Sequence, residues 1–404
     1  MGRDRIRILF VDDEAAQRDR LRGILEPVRA EMDLAFAESG AEALDRMAQD
    51  PCDVIVSDLG MPGMDGPALL REVRKRHPQV VRIALAGPDL PGSGLRSVEV
   101  AHQCLSGPVD PDILREVLGR ARAMHALVDN DTLKALIGGM RSIPSLPDVY
   151  HEMMREIESP DASLRRIGGI IARDIGMCAR ILQLANSAFF GTMHRIADPV
   201  QAVTHLGLEV IKALVISVHI FSRFEKEAAG GFSLDALWKH SFVVGASAFG
   251  ISRAAGSDRA ELDAAFVGGI LHDVGKLILA VNLPQPYRAV RAVSGGEGVS
   301  LCEAERECFG ATHAEVGAYL LGIWGIPREV VEAVGFHHDP GRPGVRRVTA
   351  TVAVHVANGF EHADRADARP EETEAIDMAF LESAGLSGGI PAWKTACDAI
   401  AQTG

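Results

Sequence analysis

Short apolar runs separated by helical patterns dominate the first quarter of the chain. The runs that predict strands lie near residues 6–11, 33–37, 53–58, 80–85 and 101–105. Continuous runs of this length are typical of parallel strands buried on both faces, and their alternation with helices predicts a doubly wound parallel sheet. After Pro111 no strand-like alternation survives, and long amphipathic patterns predict a helical remainder.

The transition between these two parts is itself helical. Its apolar residues recur at spacings of three and four: Ile113, Leu114, Val117, Leu118, Ala121, Met124, Leu127 and Val128. The stripe fits a last sheet-domain helix extended into a connector, a homodimer seam, or a plain helix packed on the sheet. We favour the extended connector, because the stripe is too short to establish a coiled coil.

Three aspartates directly follow two of the predicted strands. Asp12 and Asp13 end the run Ile6–Val11, and Asp58 ends the run Val54–Ser57. Ligands bind beyond the carboxyl ends of strands in an open α/β sheet, so these carboxylates should converge there. Neighbouring carboxylates repel unless a hard cation lies among them, and Mg²⁺ takes such oxygen ligands. Helix capping is the alternative, but a cap accounts for one aspartate and not for three.

The aspartates and the turn Met61–Gly66 resemble the receiver domain of two-component response regulators, over roughly residues 5–125. The resemblance implies that Asp58 is the phosphorylation site and that Asp12, Asp13 and Asp58 hold Mg²⁺. It also implies an upstream histidine kinase or another phosphodonor.

Three positions depart from the receiver pattern. Active receivers carry Ser or Thr at the end of the fourth strand and Lys before a proline after the fifth. Here Ala86 and Gly107 occupy those positions, and Cys104 stands near the usual aromatic residue. The missing hydroxyl and ammonium would each bond a phosphoryl oxygen, and such bonds are worth about 1.5–3 kcal/mol. We therefore expect an intact acceptor pocket with a degenerate switch.

The second half of the chain carries an ordered series of histidines. His272 and Asp273 are adjacent, and Lys276 lies one turn further along the face of His272. The remaining members are in separate segments: His240, His313, His337 and His338. Nitrogen and oxygen ligands from separate helices build dinuclear hydrolytic sites, whereas a buried hydrogen-bonded network is the structural alternative.

This series resembles the HD superfamily of metal-dependent phosphohydrolases, and three flanking segments resemble its HDOD branch. Those segments are residues 143–147, 180–191 and 202–207, within a match over roughly 130–340. The resemblance implies an all-α bundle downstream of a sensor domain. Members of this branch are mostly regulatory and often act through protein contacts.

The last predicted ligand of the histidine series affects whether the site could be catalytic. A working HD site takes its last ligand from a later aspartate, and the candidate here is Asn358, a neutral and weaker ligand. No Gly-Tyr-Pro motif follows His338, although the cyclic-dinucleotide phosphodiesterase relatives carry one. Residues 361–374 predict a solvated acidic loop, and Pro391 predicts the start of a last helix docked on the bundle.

Composition narrows the class of protein. The net charge of −13 argues against a nucleic-acid surface, which needs clustered Lys and Arg. The six cysteines include no CxxC pair, and Cys302 and Cys308 have no histidines beside them in sequence, which favours a reducing cytoplasm over disulfides or zinc. Neither a membrane span nor a signal peptide is expected.

The predicted architecture is α/β plus all-α: a five-stranded parallel-sheet receiver joined by a helix to an HD-like bundle. The predicted boundaries are 1–125 for the receiver, 126–142 for the connector, 143–345 for the HDOD domain and 346–404 for a helical extension. We expect a cytoplasmic signalling regulator whose HDOD module acts on an unknown protein partner without catalysis. The alternative is a receiver-gated phosphohydrolase acting on nucleotides or cyclic dinucleotides, with Lys276 as a catalytic accessory.

Overall fold

The computed structural model describes most of the chain in separate ranges. These are residues 5–77, 79–86, 101–106, 110–127, 148–159, 161–173, 177, 181, 185, 196, 198–212, 214–216, 234–294, 299–341, 345–364 and 375–401. The chain divides into two compact units, one made of residues 1–146 and 319–326 and the other of residues 147–318 and 327–404.

The first unit is a parallel sheet with helices between its strands. The strands are β1 (Ile6–Val11), β2 (Met32–Ala37), β3 (Val54–Asp58), β4 (Val81–Ala86) and β5 (Gln103–Ser106). They pair in the order β2-β1-β3-β4-β5, and all neighbours are parallel. The helices are α1 (Ala15–Leu25), α2 (Gly40–Gln49), α3 (Gly66–Arg76) and α4 (Pro111–Leu127).

The central strands form the core of this unit. Ile8, Phe10 and Val56 have no exposed surface, as expected of continuous apolar runs covered on both faces. Because β1 and β3 are neighbours in the sheet, the residues at their carboxyl ends lie at one edge. The sheet thereby brings Asp12 and Asp58 to the same place, as predicted.

Helix α4 carries the first part of the apolar stripe that the sequence shows. Leu114, Val117 and Leu118 are buried, whereas Ile113 is 50% exposed. Arg115 of α4 donates a hydrogen bond to the carbonyl oxygen of Ile24 in α1, at 3.4 Å. This part of the stripe therefore packs within its own unit, and the predicted connector beyond Leu127 lies outside the described residues.

The second unit is helical, which confirms the predicted fold class. Its helices are α5 (Asp148–Glu158), α6 (Leu164–Ala172), α7 (Pro199–Leu206), α8 (Leu234–Ala254), α9 (Arg259–Leu271), α10 (Val274–Asn282), α11 (Pro284–Ser294), α12 (Leu301–Phe309), α13 (His313–Ile323), α14 (Arg328–Phe336), α15 (Ala350–Asp364), α16 (Met378–Ala384) and α17 (Ile390–Ala401). As predicted, the last helix docks on the bundle, where Trp393 and Cys397 are buried.

Two glycine contacts hold the helices of this bundle unusually close. A Cβ atom at Gly269 of α9 would lie 2.5 Å from the Cα of Gly245 in α8, so only glycine fits this crossing. A Cβ at Gly275 of α10 would overlap the carbonyl oxygen of His313 in α13. These contacts allow close packing of the helices that carry the histidine series.

The stretch Arg259–Asn282 is long and apolar enough to pass a test for a membrane span. However, 83% of its apolar window is buried inside the protein, as in the core helix of a helical bundle. Its first helix, α9, packs against α8, α14 and α15, which accounts for its apolar composition.

Candidate functional sites: an acidic pocket and a histidine cluster

The acidic pocket lies at the carboxyl ends of β1 and β3. Asp12 is 7% exposed, and its Oδ1 accepts a hydrogen bond from the amide of Glu14 at 2.8 Å. Asp58 is half-buried, and its Oδ2 accepts one from the amide of Gly60 at 2.7 Å. Asp13 is exposed beside them. The structure therefore places all three predicted carboxylates at this edge of the sheet.

The negative charge of this pocket contributes to a raised pKa of Asp12. Burial, joined by the negative charges of Asp58 and Asp13, raises the pKa of Asp12 to about 6 despite the hydrogen bond from Glu14. A carboxyl group with a raised pKa beside other carboxylates is one that a divalent cation would stabilise in its charged form. The pocket thus fits the oxygen donor set of Mg²⁺.

The loop after β3 is tightly packed against the acceptor position. A side chain at Gly66 would press on the backbone of Asp58 and lie 2.8 Å from the Cα of Leu59. Ala86 ends β4 on the strand next to β3, one residue beyond the partner of Asp58. The side chain of Cys104 and all of Gly107 lie outside the described residues, so the degenerate switch remains a prediction.

The histidine cluster is built from four buried imidazoles that share one hydrogen-bonding pattern. Their Nδ1 atoms each lie 2.7 Å from an acceptor: Glu361 Oε2 for His240, Gly269 O for His272, Glu305 Oε2 for His313 and Val334 O for His337. Because carbonyl and carboxylate oxygens only accept, each Nδ1 carries a proton. When such a ring is neutral, the other nitrogen, Nε2, is the atom that offers a lone pair.

All four Nε2 atoms face the carboxylate of Asp273. His240 and His272 lie 3.6 and 3.5 Å from its Oδ2. His313 and His337 lie 3.3 and 3.9 Å from its Oδ1. Asp273 therefore belongs to two groups of candidate metal ligands, one at each oxygen, in which the ligand atoms all lie within 4.8 Å of one another.

Two nitrogen pairs lie in direct contact across this cluster. The Nε2 atoms of His240 and His272 are 3.1 Å apart, and those of His313 and His338 are 2.9 Å apart. Two lone pairs facing each other at such distances repel unless a proton or a cation lies between them. The arrangement is typical of ligand atoms that converge on ions.

The ionisation of the cluster follows from its burial and its charges. Burial lowers the pKa of His272 to about 3, so its ring is neutral at ordinary pH. Burial alone would raise the pKa of Asp273, but the neighbouring His272 and Lys276 and a hydrogen bond from His313 hold it well below its usual range.

His313 differs from His272 because it lies against a second carboxylate. Burial would lower its pKa, but the charge of the fully buried Glu305 and the hydrogen bonds with Asp273 and Glu305 together raise the pKa to about 9. A proton on His313 therefore stands between Glu305 and Asp273. A divalent cation at this position would compete with that proton, since one nitrogen cannot hold both.

Lys276 and Asn358 are the other two residues that the sequence predicts for this site. Lys276 donates a hydrogen bond to Asp273 Oδ2 at 2.8 Å, and its side chain is 12% exposed. Asn358 is 1% exposed and lies in α15, one turn before Glu361 and His362. These positions at i, i+3 and i+4 share one face of the helix.

Several residues of the cluster were not expected from the sequence. The prediction of a solvated loop is wrong for Glu361, which lies in α15, is 12% exposed and bonds His240. The ring of His362 lies 4.9 Å from that of His240. Cys302, which has no histidine beside it in the sequence, groups in three dimensions with His313 and His338. The i, i+3, i+4 spacing from Asn358 was a usable signal, whereas nothing in the local sequence marks Glu305.

Family models match both parts of the chain. A response regulator receiver domain matches residues 8–118, and an HDOD domain matches residues 143–340. The crystal structure of an HDOD domain protein of unknown function from Geobacter sulfurreducens is 21% identical and covers 67% of this chain and 97% of that one, with a TM-score of 0.50. This likeness shows a shared fold.

Two curated relatives each match part of the chain. An uncharacterised protein of Treponema pallidum (strain Nichols) is 26% identical over 261 residues, which is 61% of this chain and 50% of that protein. The DNA-binding transcriptional regulator NtrC of Escherichia coli (strain K12) is 37% identical over 117 residues, or 28% of this chain and 24% of NtrC. The chain thus spans half or less of each relative. Its own two matches identify it as a signal-transduction protein that joins a response regulator receiver domain to an HDOD domain.

Proposed function

We propose that this protein relays a signal from its receiver domain through an HDOD domain built around a divalent-metal centre. The HDOD domain passes the signal by contact with a protein partner. The receiver takes its input from a kinase or small phosphodonor at Asp58, with Mg²⁺ held by Asp12, Asp13 and Asp58.

One observation supports the metal centre above all others. Four imidazoles from four helical segments present Nε2 to one carboxylate while Nδ1 is held by an acceptor. Metal-ligating histidines almost always donate their second N–H to such an outer partner, which fixes the tautomer and the ring. A purely structural network would instead pair donors with acceptors, whereas two neutral rings at His240 and His272 would bring two acceptors together.

The residues present fit a pair of borderline divalent ions. Each oxygen of Asp273 serves one histidine pair, so the carboxylate would bridge two positions. Imidazole and carboxylate together suit Zn²⁺, Mn²⁺ or Fe²⁺. Glu361 and Glu305 would hold His240 and His313 in place from outside.

Protein contact is favoured as the output because of Asn358. A buried amide at this point withholds the negative charge that a working HD site takes from its last aspartate. The receiver offers a parallel reason, since Ala86 supplies no hydroxyl to a phosphoryl group. Both domains thus keep their ligand-binding residues but lack groups that drive turnover or switching.

The second candidate function is hydrolysis of a phosphoester. The shared carboxylate favours it, because divalent ions held by Asp273 and the histidines would supply Lewis acidity to a phosphoryl oxygen. Lys276, held by Asp273 at 2.8 Å, would add a positive charge there. An assay with cyclic dinucleotides and nucleotide phosphoesters separates the candidates: we expect no turnover by the natural chain, and Asn358→Asp tests whether one carboxylate restores it.

The metal centre itself is tested by titrating divalent ions onto chelator-treated full-length chain. We expect His272→Ala to lose binding at the centre and Mg²⁺ binding at the receiver to persist. His205→Ala is the matched control, because His205 is an exposed histidine on α7. Equal binding of Zn²⁺ or Mn²⁺ by the natural chain and by His272→Ala would refute the proposed centre.

A further inference from the structure

Helix α12 presents two ligand-type side chains toward the His313 end of the cluster. Cys302 and Glu305 are three residues apart and so share one helical face. Glu305 reaches Nδ1 of His313 at 2.7 Å, and Cys302 groups with His313 and His338. The helix thus supplies a carboxylate that holds Nδ1 of His313 and a thiol that lies near the same histidine.

The start of α12 is held rigidly enough to define the position of this thiol. Ser300 and Glu303 form a capping box: the Ser300 side chain accepts from the Glu303 amide at 3.2 Å, and Glu303 accepts from the Ser300 amide at 2.9 Å. Cys302 lies inside this first turn. Its location therefore does not depend on a frayed helix end.

The thiol and the two imidazoles lie at the separations that a shared ion needs. The sulfur of Cys302 and one ring nitrogen each of His313 and His338 all lie within 4.8 Å of one another. The two Nε2 atoms are 2.9 Å apart. In tetrahedral zinc sites the metal–sulfur distance is about 2.3 Å and the metal–nitrogen distance about 2.0–2.1 Å, which places ligand atoms roughly 3–4 Å apart.

We propose that Cys302, His313 and His338 form a thiolate–imidazole subsite that selects a borderline ion such as Zn²⁺ or Co²⁺. The inference rests on the proposed metal centre and names the ion class at its outer end. Thiolate is a soft ligand that Mg²⁺ and Mn²⁺ do not favour. The subsite therefore makes the two ends of the cluster chemically different, with Asp273 between them.

Cobalt is the probe that distinguishes this subsite from the rest of the centre. Co²⁺ bound by nitrogen and oxygen gives visible ligand-field bands, and thiolate ligation adds a sulfur-to-cobalt charge-transfer band in the near ultraviolet. We expect the full-length chain loaded with Co²⁺ to show both. Cys302→Ser should lose the near-ultraviolet band and weaken Zn²⁺ binding by at least roughly 10–100-fold, the range for loss of even an outer-shell partner.

The matched control is Cys308→Ser, since Cys308 lies on the same helix but is exposed. Cys302→Ala and His338→Gln repeat the test with different side chains, and circular dichroism checks that each variant is folded. Visible bands without a sulfur band in the natural chain would overturn the subsite and leave the proposed centre standing. Absence of Co²⁺ binding altogether would overturn both. A sulfur band that survives in Cys302→Ser but not in Cys308→Ser would assign the thiolate to the wrong cysteine and refute the subsite.

Discussion

Replacing Asp273 with asparagine should destabilise the helical unit even when a chelator removes all divalent ions. Asp273 is buried, and its Oδ2 lies 2.8 Å from Nζ of Lys276, whose side chain is 12% exposed. Its Oδ1 faces His313, which carries a proton at neutral pH because its pKa is raised to about 9. Asparagine keeps the shape but leaves Lys276 and the protonated His313 without their shared anion. Removing one partner of a buried ion pair costs about 3–5 kcal/mol in the free energy of unfolding.

The chain provides a selective probe for this measurement. Its three tryptophans, Trp238, Trp324 and Trp393, all come after residue 147. Trp238 and Trp393 lie in the helical unit, whereas Trp324 groups with the sheet unit, so tryptophan fluorescence measured in a Trp324→Phe background follows the unfolding of the helical unit. With an ion present at about 100 times its dissociation constant, the natural protein should gain roughly 2.7 kcal/mol that Asp273→Asn does not gain.

Asp398→Asn is the control for this prediction. Asp398 pairs with Lys394 at 2.8 Å, with side-chain exposures of 48% and 34%, so its loss should change the free energy of unfolding by less than about 1 kcal/mol. If Asp273→Asn in chelator unfolds within about 1 kcal/mol of the natural chain, the reasoning about Asp273 fails. The carboxylate of Asp273 would then not stabilise the fold by neutralising Lys276 and His313.

Three other changes test the remaining parts of the account. Acetyl phosphate with Mg²⁺ should add the mass of one phosphoryl group to the natural chain but not to the Asp58→Asn variant. The affinity of the natural chain for Mg²⁺ should fall as the pH drops through about 6, because Asp12 then takes a proton. An affinity that does not change with pH would contradict this. Ala86→Thr with Gly107→Lys should enlarge the change in hydrogen exchange over residues 110–127 on addition of beryllofluoride, and no gain would mean that coupling follows another route. Gly275→Ala should lower the free energy of unfolding by at least about 1–3 kcal/mol, because its Cβ would overlap the backbone of α13; an unchanged value would show that the helices can separate freely.

The fold was predictable because it depends on local patterns of apolar and polar residues. Continuous apolar runs predicted strands near 6–11 and 53–58, and the structure has β1 and β3 there. Burial on both faces requires such runs, so the signal is strong. The aspartates at the ends of these strands were predictable for the same reason, since sheet topology alone decides where carboxyl ends meet.

The histidine cluster was only partly predictable. Adjacent His272 and Asp273 mark the site, but the outer partners come from distant parts of the chain. Glu361 lies 121 residues after His240, within a stretch whose charge suggested a solvated loop. Cys302 lacked histidine neighbours in sequence and gained them only through the packing of α12. Such contacts depend on tertiary structure, which no local pattern encodes.

The tautomers of the buried histidines test the central claim most directly. Nitrogen NMR of the chain labelled at histidine reports protonation at Nδ1 and Nε2 separately, before and after addition of Zn²⁺. We predict that His240, His272 and His337 carry a proton on Nδ1 alone, and that Zn²⁺ shifts their Nε2 resonances while Nδ1 stays protonated. His313 should begin doubly protonated at pH 7, since its pKa is raised to about 9, and should lose its Nε2 proton on binding. Protons found on Nε2 of His240 and His272, or Nε2 resonances unmoved by Zn²⁺, would contradict a metal centre at this cluster.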